Sequence, residues 1–230
     1  DSMSGAVGPI LMKNVAETLT IINREDSSIA PGLAQSWKQI DAHTWQFVLR
    51  KGVKFHDGTD FNAAAVLFNI NRLYDKRTAT TTKIKFFSNI KLEGKAVDSH
   101  TLELKTDKPE PLLLTLMGTV GMCSPNTPTD KLTRIPIGTG PYKFVKWDAG
   151  TQIVLERFAG YWGKPPQAKK AVYIWRTESS VQAAMVLIGE ADLAPNIARQ
   201  DANRPDMDHS YLNSETTVLR IGGVWEPPLN

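Results

Sequence analysis

The residues of this 230-residue chain whose types could support chemistry are few and mostly isolated. His56-Asp57-Gly58-Thr59-Asp60 sets an imidazole beside two carboxylates, the groups that a metal site or an acid–base pair would use. Asp-Gly is also a turn dipeptide, and this one lies between a strand pattern and a helix cap, so a structural turn is the stronger reading. His43, His100 and His209 have no second histidine one helical turn away. Gly138-Thr-Gly140 begins like a dinucleotide fingerprint, but the third glycine is missing and Pro141 leads into a strand; there is no nucleophile elbow and no phosphate loop. The acidic pairs Glu190 with Asp192 and Asp206 with Asp208 read as solvated loop charge rather than glycosidase carboxylates. The single cysteine, Cys123, excludes an internal disulfide and a multi-cysteine zinc site. No catalytic residue, metal ligand or cofactor is therefore expected.

The composition is that of a soluble, globular chain. It carries 27 basic and 24 acidic residues, well mixed, with a formal net charge of +3, so no basic stripe suited to nucleic acid is expected. The lysines from Lys83 to Lys95 alternate with Phe86, Phe87, Ile90 and Leu92, which reads as a solvated face over a buried one. No run approaches the roughly 20 apolar residues of a membrane span. The first residues lack the basic start and apolar centre of a secretory signal. Among the six tryptophans, Trp37, Trp45, Trp147 and Trp175 sit in core-facing strand contexts.

The elements that would position these groups can be read from periodicity. Pro9 suits the first turn of a helix running toward Leu19, and the Gly-rich loop Ser4 to Pro9 before it is a candidate ligand edge. Trp45, Phe47 and Leu49 alternate with polar or exposed neighbours as a half-buried strand does. Asn62 is positioned to cap a helix whose Val66, Ile70 and Leu73 recur at helical spacing. Leu112 to Met117 reads as a short apolar helix or turn, followed by Gly118 to Pro125, a passage poor in side chains that suits lining a cavity more than filling a core. Tyr142 to Trp147 and Gln152 to Phe158 form a hairpin about Asp148-Ala-Gly150. Ala171 to Trp175 is expected to be a buried strand, and a helix capped at Ser179 or Ser180 turns Val181, Ala184, Met185 and Ile188 inward until Gly189 ends it. Strands near Asp192-Leu193 and at Val218 to Val224 would complete the sheet.

Several of these stretches together carry a resemblance. Asn14-Val-Ala-Glu-Thr-Leu19, Ile29-Ala-Pro-Gly-Leu-Ala-Gln-Ser-Trp37, the run from Thr44 through His56-Asp57-Gly58-Thr59 to Val66, Ile137-Gly-Thr-Gly-Pro-Tyr-Lys-Phe-Val-Lys-Trp147, Arg157-Phe-Ala-Gly-Tyr-Trp-Gly163 and Gly189-Glu-Ala-Asp-Leu193 arrive in one order. In that order the chain resembles the family 5 extracellular solute-binding proteins, the dipeptide, oligopeptide and nickel receptors of ABC importers. Ala65 departs from the pattern, since the family usually carries an acidic residue there.

The resemblance implies an α/β, periplasmic-binding-protein-like (class II) lobe with a mixed sheet and an inserted α+β subdomain. Residues 1–36 and 137–230 would form the discontinuous α/β domain and 37–136 the insertion, with the second lobe absent from this chain. It implies a monomeric periplasmic subunit that captures a short peptide or similar solute between two lobes and delivers it to an ABC permease, with no nucleic acid involved. Val7, Gly8 and Pro9 are implied as one wall of the ligand site, Gly121, Met122 and Cys123 as another, with Trp225 at the cleft. Nickel-chelate receptors tend to carry an arginine near the position of Gly121. Oligosaccharides, opines and metal chelates are alternative ligands, and a sensor without transport is an alternative role; a hydrolase is the weakest reading.

Overall fold

The computed structural model describes residues 14–23, 25–75, 86–128, 135–194, 197–198 and 200–201. By compactness the chain divides into two units, Asp1–Trp175 and Arg176–Asn230. The first begins with the short strands β1 (Thr20–Ile22) and β2 (Ile29–Pro31), paired antiparallel. A four-stranded sheet follows, made of β3 (Ala34–Gln39), β4 (Thr44–Leu49), β5 (Leu92–Ala96) and β6 (Thr101–Thr106) in the order β3-β4-β6-β5. Its register aligns Trp37 with Phe47, Phe47 with Leu102, and Trp45 with Leu104, so the large apolar residues share one face. On the other face Gln46 Nε2 donates to Glu103 Oε1 at 3.1 Å.

The helix α1 (Ala63–Tyr74) covers the apolar face. Its start is fixed by Asn62, whose side-chain oxygen accepts the Ala65 amide at 3.0 Å, and its buried stripe holds Val66, Ile70 and Leu73 as the spacing predicts. These residues pack with Phe47, Leu49, Phe55, Phe61, Leu102 and Leu104 in the main core. The turn between β4 and α1 is closed by Phe55 N donating to Thr59 O and by an isolated bridge between Lys54 and Asp60, with Gly58 at φ +85°. A short helix, α2 (Leu113–Met117), leads into the 118–128 segment.

A third sheet, order β7-β8-β9, is formed by β7 (Tyr142–Asp148), β8 (Gln152–Arg157) and β9 (Lys170–Ile174). The expected hairpin is present, with Thr151 N donating to Asp148 O and Gly150 at φ +78°. Its core joins Val15, Tyr142, Ile153 and Leu155 to the partly buried Phe144, Trp147, Tyr173 and Trp175. All described strand pairings are antiparallel.

Some sequence expectations change. The stretch Ala16–Thr18 is irregular rather than helical, and the carbonyls of Glu17 and Thr18 serve the distant amides of Met122 and Leu33. Among the described residues β9 is an edge strand, and its Val172 and Ile174 are exposed at 41% each, so its continuous apolar run does not signal burial on both faces. The unit Arg176–Asn230 contains α3 (Ser179–Leu187), and there Ala183 is buried while Val181 and Ile188 are exposed, reversing the expected face. Neither Ser179 nor Ser180 caps it; Ser179 lies inside the helix and its Oγ accepts the Ala198 amide. Gly189, at φ +77°, follows its end as expected. Asp192 and Leu193 form no strand, and Val218 to Val224 lie outside the described residues.

Gly138 and Gly140 lie against the backbone of Asn14 to Ala16, where a Cβ at Gly138 would overlap the Val15 carbonyl. Gly52, at φ +75°, faces open space. Gly138→Ala in the full-length protein is expected to abolish cooperative folding, whereas Gly52→Ala costs about 1–2 kcal/mol of left-handed strain. Thermal melts of the two variants check this, and a native-like melt of Gly138→Ala would contradict the packing described.

Candidate functional site

The segment expected to line a ligand, Gly121 to Cys123, lies between α1 and the chain at Glu17. From α1, Asn69 makes two bonds to Cys123: its Oδ1 accepts the Cys123 amide at 3.0 Å and its Nδ2 donates to the Cys123 carbonyl at 2.8 Å. Arg72, one turn further along, donates from Nη2 to the Gly121 carbonyl at 3.1 Å. From the other side, the Met122 amide donates to the Glu17 carbonyl at 2.8 Å, and the Ser124 amide to that of Ile137 at 2.7 Å. The backbone is therefore held from both sides, as a strand is, by partners of which none lies in a strand.

The Glu17 side chain gathers a second set of contacts. Its carboxylate accepts from Thr139 Oγ1 at 2.8 Å, Tyr161 OH at 2.9 Å and Trp162 Nε1 at 2.8 Å. The Arg50 guanidinium lies over the Trp162 ring, 4.6 Å from its centroid, and its Nε donates to the Gly32 carbonyl at 2.6 Å. Burial pushes the Glu17 carboxyl above the usual carboxylate range, while Trp162, Thr139, Tyr161 and the Arg50 charge pull against that rise. Burial, then the facing Glu17 charge and hydrogen bond, push the Tyr161 phenol up, so it stays a donor.

The expected site residues divide into two groups. Gly121, Met122 and Cys123 come together at this junction and are buried, with Met122 at 0% and Cys123 at 4% exposure and Met122 part of the main core. Val7, Gly8, Pro9 and Trp225 lie outside the described residues. Burial pushes the Cys123 thiol up, against the opposing pull of Arg72, which suits a packed side chain and not a nucleophile. The turn at His56-Asp57 is structural: Asp57 accepts from Ser124 Oγ at 2.7 Å and from the Thr59 amide at 3.0 Å. Burial would raise the Asp57 carboxyl, and these bonds with that of Asn126 outweigh it, leaving it below its ordinary range. No group of three or more His, Cys, Asp or Glu suited to a metal ion occurs among the described residues.

Sequence reasoning singled out neither Glu17 nor Asn69. A signal existed for each, since Glu17 is the one acid in an otherwise uncharged stretch, Asn14 to Ile22, and Asn69 falls on the apolar stripe of α1, where a polar side chain needs a partner.

These contacts link five stretches that the sequence resemblance also singled out. The model of the family described as bacterial extracellular solute-binding proteins, family 5 middle, matches residues 28–225. The chain belongs to the family 5 solute-binding proteins. The dipeptide-binding protein of Escherichia coli K12 is 30% identical over 223 residues, covering 85% of this chain and 42% of that relative. The glutathione-binding protein GsiB of the same strain is 32% identical over 169 residues, covering 70% of this chain and 32% of the relative. Among solved structures, the periplasmic binding protein DppA of Helicobacter pylori in complex with the peptide STSA matches with a TM-score of 0.68 at 29% identity, over 77% of this chain and 40% of that one. The chain thus spans less than half the length of these family 5 relatives.

Glu17→Ala would leave the Thr139, Tyr161 and Trp162 donors without an acceptor, at a cost of about 1–3 kcal/mol for each that stays dry. The full-length variant should lose about 3 kcal/mol or more in urea unfolding, and Glu17→Gln, which keeps one acceptor oxygen and the volume, clearly less. Asn69→Ala should free the Cys123 backbone and speed modification of its thiol by a neutral thiol reagent under native conditions; an unchanged rate would show that Asn69 does not hold the segment.

Proposed function

We propose that this chain is part of the first lobe of a substrate-binding subunit of an ABC importer, capturing short peptides in a cleft between two lobes and delivering them to a membrane permease. The observation that carries this reading is the match to the family 5 model over residues 28–225, with a dipeptide-binding relative 30% identical across 85% of the chain. The subunit would be periplasmic and monomeric, a binder and not an enzyme. Residues 1–36 with 137–230 would make the α/β domain of the lobe and 37–136 its insertion.

Val7, Gly8 and Pro9 would form one wall of the cleft, Gly121, Met122 and Cys123 another, with Trp225 at its mouth. Because Met122 and Cys123 are buried, the second wall would act through the position of its backbone. The bonds from Asn69, Arg72 and Glu17 support that role, since a wall fixed before the ligand arrives needs no ordering when it binds. An extended peptide offers main-chain donors and acceptors to such a wall, while varied side chains can be accommodated through water. Two lobes closing on the ligand would create the form that the permease recognises, stabilised by contacts made only when closed.

The test is a thermal-shift screen of the full-length protein against dipeptides to pentapeptides, glutathione, oligosaccharides and a nickel–histidine chelate. A ligand present at about a hundred times its Kd adds about 2.7 kcal/mol to the native state. A rise in Tm with peptides or glutathione is the expected result. A rise with a sugar or chelate alone would replace the cargo, and silence from every probe would count against capture as the function.

A further inference from the structure

The turn after β4 carries a half-buried base at a joint between the four-stranded and three-stranded sheets. The His56 amide donates to the Gly138 carbonyl at 2.9 Å, and its Nε2 lies 2.9 Å from the Gly140 carbonyl. Its ring packs edge-on against Phe158, with centroids 4.9 Å apart at 67°. Phe158 follows β8, and its own amide donates to the Pro141 carbonyl. One side chain thus ties the region of β4 and α1 to the backbone entering β7 and to the end of β8.

A carbonyl can only accept, so Nε2 must carry the hydrogen, and in the neutral ring Nδ1 is then a bare lone pair. Nδ1 is buried without a hydrogen-bond partner among the described residues. The surroundings suit a lone pair and not an N–H. The adjoining cavity, about 170 Å³, is lined by Ile135, Pro136, Ile137 and Phe144, with Lys143 and Asp57 as its charged members. Lys143 repels a charged imidazole and Asp57 attracts one. Asp57 is already committed to Ser124, Thr59 and Asn126. Lys143 is shared with Glu156 on β8 at 2.7 Å.

We propose that His56 is an acid-sensitive latch: neutral, it holds the β4–α1 region to the β7–β9 sheet, and protonated, it carries a second N–H with no acceptor and releases that joint. Burial is the largest influence on its affinity for a proton and lowers it, and Lys143 acts in the same direction, against the Gly140 carbonyl and Asp57. The sign follows from linkage. A base whose folded pKa lies below its unfolded value, about 6.5, binds fewer protons when folded. Its contribution is whole above that unfolded value and is lost as the pH falls toward the folded one, by up to about tenfold in the folding constant per pH unit.

The test compares the full-length protein with His56→Gln, which keeps an N–H for the Gly140 carbonyl and does not titrate. Urea unfolding from about pH 8 to about pH 5 should show the wild type losing stability relative to the variant below about pH 6.5. Amide exchange locates the loss: protection at residue 56 and at Phe158 should fall relative to Phe47, inside β4, in the wild type and not in the variant. A stability difference that stays flat with pH would overturn the proposal. So would equal loss of protection at Phe47, which would make His56 a half-buried base without a latch. Neither reading involves a ligand, so the outcome is independent of the peptide screen.

Discussion

A carboxylate withdrawn from water needs donors, and the three that reach the Glu17 side chain come from residues 122 to 145 positions away in sequence. The same residue's carbonyl takes the Met122 amide, and its neighbours Val15, Thr18 and Leu19 take those of Gly140, Leu33 and Gly32. The stretch from Val15 to Leu19 is therefore a backbone hub between the two sheets. Gly138 and Gly140 lie against it because no side chain could fit there. Thr139 between them is fully buried and supplies one of the donors to Glu17. Remove the carboxylate, and three donors, Thr139 from one stretch and Tyr161 and Trp162 from another, are left facing one another.

The same solution recurs where the chain has no strand to pair with. Asn69 imitates a neighbouring strand for Cys123, Asn62 supplies the missing turn for α1, and Asp57 holds Ser124 while closing its own turn. Each is a short side chain whose oxygen can sit close to the backbone. Arg50 and Arg72 add longer reach, meeting carbonyls of segments far away in sequence. This is costly in partners but gives a segment such as 121–124 a fixed position without placing it in a sheet. His56 is built by the same rule with one side unanswered, which is why a proton would matter there.

Much of the fold was legible in the sequence. The alternation of Trp45, Phe47 and Leu49, the cap at Asn62, the spacing of Val66, Ile70 and Leu73 and the turn at Gly150 are local signals, and each element formed where its signal lay. The failures share a cause. The apolar spacing of Leu11, Met12, Val15, Ala16 and Leu19 fits a helix, yet the carbonyls of Glu17 and Thr18 are taken by distant amides. The run at Ala171 to Trp175 is apolar throughout, but among the described residues β9 is an edge strand with Val172 and Ile174 exposed. In α3 the pattern is nearly as apolar on every side, so spacing could not choose its buried face.

The sequence by itself determined the family, because the order of short motifs along a chain survives without any knowledge of how they meet. It also determined the strands, caps and turns whose causes lie within a few residues. Only the tertiary structure decided that Glu17 meets Thr139, Tyr161 and Trp162, that Asn69 holds Cys123, and that Met122 is core. A hydrogen bond across more than a hundred residues leaves no periodicity in the sequence. What it leaves is a polar residue on an apolar stretch, and the identity of its partner is fixed by packing alone.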